Sequence, residues 1–422
     1  MLPCTLPNRP DPGTVIVGMS GGVDSAVSAL LLRDAGFDVQ GLFMSNWDDG
    51  DAYCTAAADF QDARRVCEVL GLPLHRVSFA SEYRERVFAH FLREYQAGRT
   101  PNPDVLCNRE IKFGVCLDYM HRLGASWIAT GHYARVQCDG RGWGRLLKGA
   151  DPAKDQSYFL HQVAPAALSK TLFPIGHLNK EEVRRRAHAA GLPVFDKPDS
   201  TGICFIGERP FEAFLSQYLQ QTPGPIENAE GDVIGEHRGL ALYTLGQRSG
   251  LRIGGRTGAA AAPWYVADKR PERNALIAVQ DHGHPLLMSD AFDVEELHWL
   301  GEAAAGRAVR EFECAVKTRY RQNDLPCRVQ ARDASAHVIL RGAARAVTPG
   351  QYAVFYDGDE CLGGGVIARR YRRAHDDGAT RVGSALPEGK SASVAVTQNT
   401  QTGSRPRESP ILLCFQRRGH DG

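Results

Sequence analysis

The chain has 422 residues, a formal net charge of +1, 43% hydrophobic residues and 23% charged residues. This length and composition predict a globular protein with two or three domains and a substantial apolar core. So small a net charge excludes nucleic-acid binding by overall charge alone, although local clusters such as the three arginines at 184–186 can bind phosphates. No apolar run is long enough to cross a membrane, and residues 1–13 do not resemble a signal peptide. We therefore expect a cytoplasmic protein that does not bind membranes.

The eleven cysteines are an odd, scattered set without a Cys-x-x-Cys pair. This pattern suits a reducing compartment and does not predict a cysteine-rich zinc site. His282 and His284 flank a single glycine, but two histidines alone are too few to indicate a metal. The sequence therefore predicts no resident metal site.

Strands and helices alternate in the first part of the chain. The hydrophobic periodicity predicts strands at 15–17, 38–44, 74–77 and 127–130, and helices at 26–32, 56–70, 81–95 and 111–123. Such alternation predicts an α/β domain with a parallel sheet and helices on both faces. Ligands of such sheets bind at the carboxyl ends of the strands, where the loop at 18–25, Met44 and the turn at 130–133 are expected.

The loop at 18–25 reads GMSGGVDS and connects the first strand to the first helix. Backbone N–H groups at a helix N-terminus and the helix dipole attract phosphate. We expect Gly21 and Gly22 to adopt positive φ and allow close backbone approach, and Ser20 and Ser25 to add hydroxyl donors. The loop lacks the lysine of a Walker A motif and the spacing of a dinucleotide-binding fingerprint.

The pattern changes after the first domain. Residues 211–270 are rich in Gly and Pro and predict a small mixed domain, and residues 271–372 contain short alternating strands that predict a β-barrel. The polar stretch at 373–422 predicts a disordered tail. The first domain is then expected at 14–210.

The segment at 102–108, NPDVLCN, carries a candidate nucleophile. Pro103 suits the start of a helix, which would place Cys107 in the first turn, where the dipole favours a thiolate. Asp104 would lie on the same helical face and could accept a proton. The alternative is a capped helix that buries an ordinary cysteine.

Two further segments carry candidate reactive or binding groups. Cys204 follows a Ser-Thr-Gly run that predicts a loop, where reactive groups are common, although a cysteine on a short core strand is equally compatible. The polar cluster at 154–158 precedes an apolar helix, and its Asp155 could simply be an N-cap.

Together these segments resemble a known family, the tRNA-specific 2-thiouridylases, whose phosphate loop is the PP-loop of ATP pyrophosphatases. The resemblance covers about residues 14–370 and leaves the Pro-rich start and the tail without counterparts. It rests on GMSGGVDS (18–25), NPDVLCN (102–108), TGHYA (130–134), KDQSYFL (154–160), STGICFIGER (200–209), KTRYRQ (317–322) and TPGQYAVFY (348–356).

The resemblance implies roles for individual residues. Cys107 is implied as the nucleophile, Cys204 as the persulfide carrier, and Asn102, Pro103 and Asp104 as contacts of the target base. The residues implied to bind ATP are Gly18, Met19, Ser20, Gly21, Gly22, Val23, Asp24, Ser25, Met44 and Gly131. The residues implied to contact tRNA are His132, Lys154, Asp155, Gln156, Arg319, Tyr320 and Gln351.

The resemblance also implies a reaction. ATP adenylates the wobble uridine with Mg²⁺ present, a persulfide on Cys204 delivers sulfur received from an upstream donor protein, and a Cys107–Cys204 disulfide forms at the end. Asp24 could bind the metal or order the loop, and the residues do not decide between these roles. We expect a monomer.

Two other functions remain open from the residues. Another PP-loop ligase that adenylates a small molecule would need neither a cysteine pair nor an RNA-binding barrel. A tRNA-binding or sulfur-carrying protein without catalysis would not need an intact SGGVDS loop. Formation of AMP that depends on tRNA separates these alternatives from a thiouridylase.

Overall fold

The computed structural model describes residues 13–47, 56–138, 144–199, 211–253, 262–301 and 311–372. They fall within one compact unit, Met1–Gly378. Cys204 and the expected tail at 373–422 lie outside the described residues. No helix in these described ranges is long and apolar enough to cross a membrane.

The strands of the described ranges form three sheets. In chain order they are β1 (Thr14–Gly18), β2 (Asp38–Ser45), β3 (Leu74–Ser78), β4 (Trp127–Ala129), β5 (Ala134–Cys138), β6 (Gly144–Lys148), β7 (Thr171–Leu172), β8 (Gly224–Glu227), β9 (Val233–His237), β10 (Trp264–Arg270), β11 (Ala275–Gln280), β12 (Met288–Trp299), β13 (Glu311–Lys317), β14 (Leu325–Arg332), β15 (Ser335–Arg345), β16 (Tyr352–Asp357) and β17 (Glu360–Tyr371).

Most helices belong to the first half of the chain. The α-helices are α1 (Val23–Asp34), α2 (Ala56–Leu70), α3 (Ala80–Tyr83), α4 (Ala89–Gln96), α5 (Pro103–Leu106), α6 (Cys116–Arg122), α7 (Ser157–Leu160), α8 (Pro165–Leu168), α9 (Lys180–Ala189) and α10 (Phe211–Leu215). Two π-helical segments span Arg84–Phe88 and Cys107–Val115, and 3₁₀ turns span Leu240–Leu242, Pro271–Arg273 and Pro285–Leu287.

The N-terminal sheet confirms the predicted parallel α/β architecture. Its strand order is β3-β2-β1-β4-β7, and all neighbours are parallel. The central strand β1 is apolar because helices cover both of its faces. Val15 and Val17 pack into one core with α1, α2 and α9, while Ile16 packs into the core on the opposite face.

A cluster of aromatic side chains forms the centre of that opposite core. Trp47 and Phe88 stack edge to face with a ring-centroid distance of 4.9 Å, and Phe214 of α10 lies 5.9 Å from Phe88. The predicted helix at 81–95 is thus present, but its middle turn is the π-helical segment Arg84–Phe88. Aromatic packing therefore joins α10 to the first domain.

Strand pairing in the central sheet places one domain boundary later in the chain than the sequence pattern predicts. Its order is β10-β11-β8-β9, so β11 at Ala275–Gln280 pairs with β10 and β8 rather than with the barrel. The barrel was expected to begin at residue 271, but its first strand is β12, which begins at Met288. Sequence pattern did not reveal this because β11 has the same apolar character as a barrel strand.

The C-terminal barrel closes through six strands in the order β12-β15-β14-β13-β16-β17, with β17 pairing back to β12. The hairpin of β5 and β6 extends this sheet from the first domain, where Leu147 pairs with Glu360. The predicted barrel is therefore confirmed, and it is joined by backbone pairing to the domain that carries the glycine–serine loop.

The buried Phe214 provides a test of the aromatic cluster. Phe214→Ala should lower the free energy of unfolding by about 3–5 kcal/mol, because it removes a fully buried ring and leaves a cavity. Urea unfolding followed by circular dichroism measures this change. Leu123→Ala, at a side chain that is 37% exposed, should stay within about 0.5 kcal/mol of the wild type. Equal effects of the two variants would contradict the proposed core.

His161 provides a test of pH dependence. Burial lowers the pKa of its imidazole to about 3, against the partial compensation of a 2.7 Å hydrogen bond to the Tyr158 carbonyl. From pH 6.5 down towards 3, the unfolded chain binds a proton at this residue that the folded chain does not. Stability should therefore fall with decreasing pH, by up to about 1.4 kcal/mol per pH unit from this group.

The matched measurement is urea unfolding at pH 7.5 and pH 5. His161→Gln should reduce the loss of stability between these values, whereas His282→Gln, at an exposed imidazole, should keep the wild-type dependence. An unchanged dependence in His161→Gln would show that His161 stays neutral in the unfolded chain or charged in the folded one.

Candidate functional site

The glycine–serine loop lies at the carboxyl end of β1 and leads into α1. Gly21 has φ +74°, and a Cβ atom there would lie 2.3 Å from the Asp59 carbonyl oxygen. Gly22 has φ −98° and ψ 165° and is the N-cap of α1. Positive φ is thus found at Gly21, as expected, but not at Gly22, because the N-cap position favours an extended conformation.

The two serines of the loop hydrogen-bond to the loop itself. The Ser25 hydroxyl donates to the Gly22 carbonyl at 3.1 Å and accepts from the Ser20 backbone N–H at 3.2 Å. The Ser20 hydroxyl accepts from the Gly22 N–H at 3.4 Å. The hydroxyls therefore hold the loop in an open turn at the N-terminus of α1, where unpaired N–H groups can meet an anion.

Asp24 is held by residues from distant parts of the chain. Lys180 donates to both carboxylate oxygens at 2.8 Å, and the Tyr133 hydroxyl donates to Oδ1 at 2.8 Å. Burial, reinforced by the Asp24 carboxylate, raises the pKa of Tyr133, so its hydroxyl stays protonated as a donor. These contacts favour loop ordering over metal binding as the role of Asp24.

Lys197 connects the loop to α2. Its Nζ donates to the Gly21 carbonyl at 3.1 Å and to the carboxylates of Asp59 and Asp62 at 2.7 and 2.6 Å. Burial opposes ionisation of Asp62, but Lys197 and Arg65 outweigh it and lower the pKa of that carboxyl. Lysines from two other segments therefore hold the loop, Lys197 at Gly21 and Lys180 at Asp24.

Asp199 links the loop region to the polar cluster at 154–158. It accepts from Lys154 at 2.6 Å and from Lys180 at 2.7 Å. Burial opposes its ionisation, but these two lysines lower the pKa of Asp199 to about 2. Lys154, implied as a tRNA contact, thus takes part in an ion pair beside the loop.

Met44 and Gly131 lie against the loop, as the carboxyl-edge argument predicts. A Cβ atom on Gly18 would lie 3.7 Å from Met44 Cε, and one on Gly131 would lie 2.7 Å from the Ser25 backbone nitrogen. Gly131 therefore packs directly against the N-terminus of α1. The residues implied to bind ATP form one contiguous region.

The segment that carries Cys107 begins as a capped helix. Asn102 Oδ1 accepts from the Asp104 backbone N–H at 3.2 Å, and Pro103 is the first helical residue, as predicted. Cys107 is the fifth helical residue, not a first-turn residue as expected, and it opens a π-helical segment. Its side chain is only 1% exposed, and Asn46 Nδ2 lies 4.0 Å from its Sγ.

The barrel contacts the chain immediately before this helix. The Gln351 side-chain amide donates to the carbonyls of Thr100 and Pro101 at 2.8 and 3.3 Å, and the Thr100 N–H donates to the Pro349 carbonyl at 3.1 Å. Gln351, implied as a tRNA contact, therefore holds the Cys107 helix in place relative to the barrel.

Three other residues implied as tRNA contacts are buried or hydrogen-bonded inside the protein. Asp155 is buried and accepts from the N–H groups of Gly149 and Ser157 at 3.1 Å each. The N-cap of α7 is Gln156, so the expected N-cap role of Asp155 is wrong. Gln156 Oε1 accepts from the Tyr133 N–H at 3.0 Å. His132 is buried, and burial holds the pKa of its ring well below its usual range.

The remaining two tRNA candidates lie on the barrel side. Arg319 Nη2 donates to the carbonyls of Leu245 and Ala346 at 2.8 and 2.7 Å, so part of its guanidinium joins the central domain to the barrel. The Tyr320 ring lies 4.5 Å from the Phe159 ring. Both side chains are half-buried.

Sequence reasoning missed Lys180, Lys197 and Asn46. Each is a single polar residue outside any of the recognised motifs, so no local pattern marks it. Within the described part of the chain, no group of three or more His, Cys, Asp or Glu residues could hold a metal ion.

Comparison with family models divides the chain into three matched regions. Residues 13–208 match the tRNA methyl transferase HUP domain, residues 212–280 the tRNA methyl transferase PRC-barrel domain, and residues 289–367 the aminomethyltransferase beta-barrel domain. The second and third regions meet between β11 and β12, in agreement with the strand pairing.

Curated relatives match nearly the whole described chain. The tRNA-specific 2-thiouridylase MnmA of Marinobacter nauticus is 55% identical over 373 residues, which cover 87% of this chain and 94% of the relative. Proteins of the same name from Aeromonas hydrophila and Escherichia coli O1:K1 are each 55% identical, over 361 and 360 residues, which cover 85% and 84% of this chain and 97% of each relative. Since these matches span most of both chains, this chain belongs to the tRNA-specific 2-thiouridylase family.

Proposed function

We propose that this protein uses ATP to replace the 2-oxygen of the wobble uridine of tRNA with sulfur, releasing AMP and pyrophosphate. One observation carries the proposal: the end of β2 connects the phosphate loop to the candidate nucleophile. Met44 lies against Gly18 of the loop, and Asn46, two residues later, lies 4.0 Å from Cys107 Sγ. Activation by ATP and attack by sulfur can therefore occur at one edge of one sheet.

The loop at 18–25 would bind the phosphates of ATP. The backbone N–H groups at the start of α1 would donate to the departing pyrophosphate, whose charge the helix dipole also stabilises. Gly21 and Gly131 keep the loop and the neighbouring turn free of side chains where backbones meet. Asp24, fixed by Lys180 and Tyr133, would maintain the loop shape.

Mg²⁺ would enter with ATP, bound mainly through the phosphates. The Asp24 carboxylate accepts from Lys180 and Tyr133, which hold it beside the loop. Mg²⁺ commonly binds proteins through few carboxylates together with substrate phosphates, and it neutralises phosphate charge there. No step of the proposal depends on a protein-held metal.

The sulfur relay requires two cysteines. The uridine 2-oxygen attacks the α-phosphate, pyrophosphate leaves, and the N3 proton passes to the Asp104 carboxylate, which would return it when the thiolated base is released. The terminal sulfur of a Cys204 persulfide attacks C2, and AMP leaves. The Cys107 thiolate then attacks Cys204 Sγ, which releases the 2-thiouridine and leaves a Cys107–Cys204 disulfide that a thiol reductant returns to two thiols with two electrons. An upstream persulfide protein would reload Cys204.

Target recognition would combine backbone contacts with an unstacked base. Cys107 is almost fully buried, so the base must leave the anticodon stack to reach it, which costs little for a loop nucleotide. Asn102, Pro103 and Asp104 would contact that base. His132, Lys154, Asp155, Gln156, Arg319, Tyr320 and Gln351 would shape or contact the tRNA surface, and we expect a cytoplasmic monomer.

The two-cysteine relay predicts a specific loss of product. Cys107→Ser and Cys204→Ser should each abolish 2-thiouridine formation but retain ATP binding, because neither thiol is part of the phosphate loop. The assay combines ATP, Mg²⁺, a persulfide donor and unmodified tRNA, and detects 2-thiouridine in the digested RNA by mass spectrometry. Cys314→Ser, in the barrel strand β13, is the control and should retain product.

The outcomes of this assay separate the proposals. Normal product from Cys107→Ser or Cys204→Ser would disprove the relay. AMP without thiolated base in the wild type would mean that adenylation works and that the sulfur relay is missing or misassigned. Binding of tRNA without either product would favour a binding or sulfur-carrier protein.

The phosphate loop predicts a selective loss of ATP affinity in Gly21→Ala. The new Cβ would meet the Asp59 carbonyl and favour negative φ, so the loop must change shape and Kd for ATP should rise about tenfold or more. Calorimetric titration with ATP measures this change. Gly36→Ala is the matched control, since Gly36 has φ +86° with no neighbour within 4 Å of its Cβ. Equal ATP affinity in both variants would contradict the assignment.

A further inference from the structure

Asn46 extends the candidate site beyond the motifs of the family. It follows β2 at the carboxyl edge of the parallel sheet, between Met44 beside the phosphate loop and the buried Trp47. Its Nδ2 lies 4.0 Å from Cys107 Sγ, although 61 positions separate the two residues. The carboxamide therefore lies beside the atom that must approach the target base.

The other end of this carboxamide is an unused acceptor. Asn46 Oδ1 is buried and accepts no hydrogen bond from any described residue. Burying a carbonyl-type oxygen without a donor costs free energy, so such an atom calls for a physical explanation. A ligand that supplies an N–H or O–H donor next to Cys107 would remove this cost.

The uracil ring offers such a donor at the required place. Its N3–H group is covalently attached to C2, the carbon at which oxygen is exchanged for sulfur. Because N3 is bonded directly to C2, an acceptor that binds the N3–H also fixes the position of C2. We propose that Asn46 is a base-reading residue whose Oδ1 accepts the N3–H of the target uracil while its Nδ2 faces Cys107. This inference rests on the proposed function.

The contact would orient the base without taking its proton, because a carboxamide is not a base in the accessible pH range. The contact would also select for a base with an N3–H donor. A bound base without this donor would leave the buried Asn46 Oδ1 without a hydrogen bond, which weakens its binding. The adenine of ATP also carries an N–H donor. Because Asn46 lies near Met44, which is implied to bind ATP, adenine is the competing ligand for the Asn46 carboxamide. The distance to Cys107 favours uracil.

The test compares two RNA ligands in the absence of ATP. Anticodon stem-loops with uridine or with N3-methyluridine at the wobble position are titrated into the wild type and Asn46→Ala. The wild type should bind the uridine stem-loop about tenfold more tightly than the methylated one, as expected for one buried hydrogen bond. In Asn46→Ala the preference for uridine over N3-methyluridine should fall to between about onefold and threefold. The affinity for ATP should stay within about twofold of the wild type.

The control variant is Ser45→Ala, at the adjacent position, whose hydroxyl donates to the Trp47 carbonyl. It should keep the wild-type ratio. Asn46→Ser serves as a second variant in case Asn46→Ala does not fold, and its ratio should also fall. A wild-type ratio in folded Asn46 variants would overturn the inference, as would a rise of tenfold in the Kd for ATP with an unchanged ratio.

Failure of the proposed function has a different signature. If the wild type forms no 2-thiouridine in the assay above, the thiouridylase proposal fails whatever the binding ratio. If the wild type forms product and Asn46→Ala retains the uridine preference, only the role of Asn46 is rejected.

Discussion

Two close approaches between backbones control the geometry of the site. Gly21 lies against the carbonyl of Asp59, and Gly131 lies against the N-terminus of α1 at Ser25. Any side chain at either position would separate the strands and helices that meet at the carboxyl edge of the sheet. The open N–H groups of α1 are available to an anion only because these contacts fix the loop without covering it.

Ion pairs also hold the loop, in addition to the backbone contacts. Lys180 pairs with Asp24 of the loop, and Lys197 pairs with Asp59 and Asp62 of α2, so each carboxylate beside the loop has a lysine partner. Partly buried ion pairs of this kind contribute little net stability. Their value here is placement, since they hold the phosphate-binding turn in position.

The barrel reaches the site by two routes. The hairpin of β5 and β6 continues the barrel sheet into the first domain, and Gln351 holds the chain just before the Cys107 helix. Two residues with implied tRNA contacts also make internal contacts near domain junctions. Asp155 accepts from the N–H of Gly149, which follows β6, and Arg319 joins the central domain to the barrel through the carbonyls of Leu245 and Ala346. An RNA that binds across these residues would therefore also contact the elements that hold Cys107 in position.

Local sequence determined the parallel domain, the glycine–serine loop, the helix start at Pro103 and the barrel, because hydrophobic periodicity, glycine and proline act over a few residues. It misplaced Cys107 within its helix, the conformation of Gly22 and the start of the barrel. Only the tertiary structure brought Asn46 to Cys107, Lys180 to Asp24, 156 positions away, and Gln351 to Thr100, 251 positions away. These partners are decided by chain topology and packing, and no local pattern carries that information.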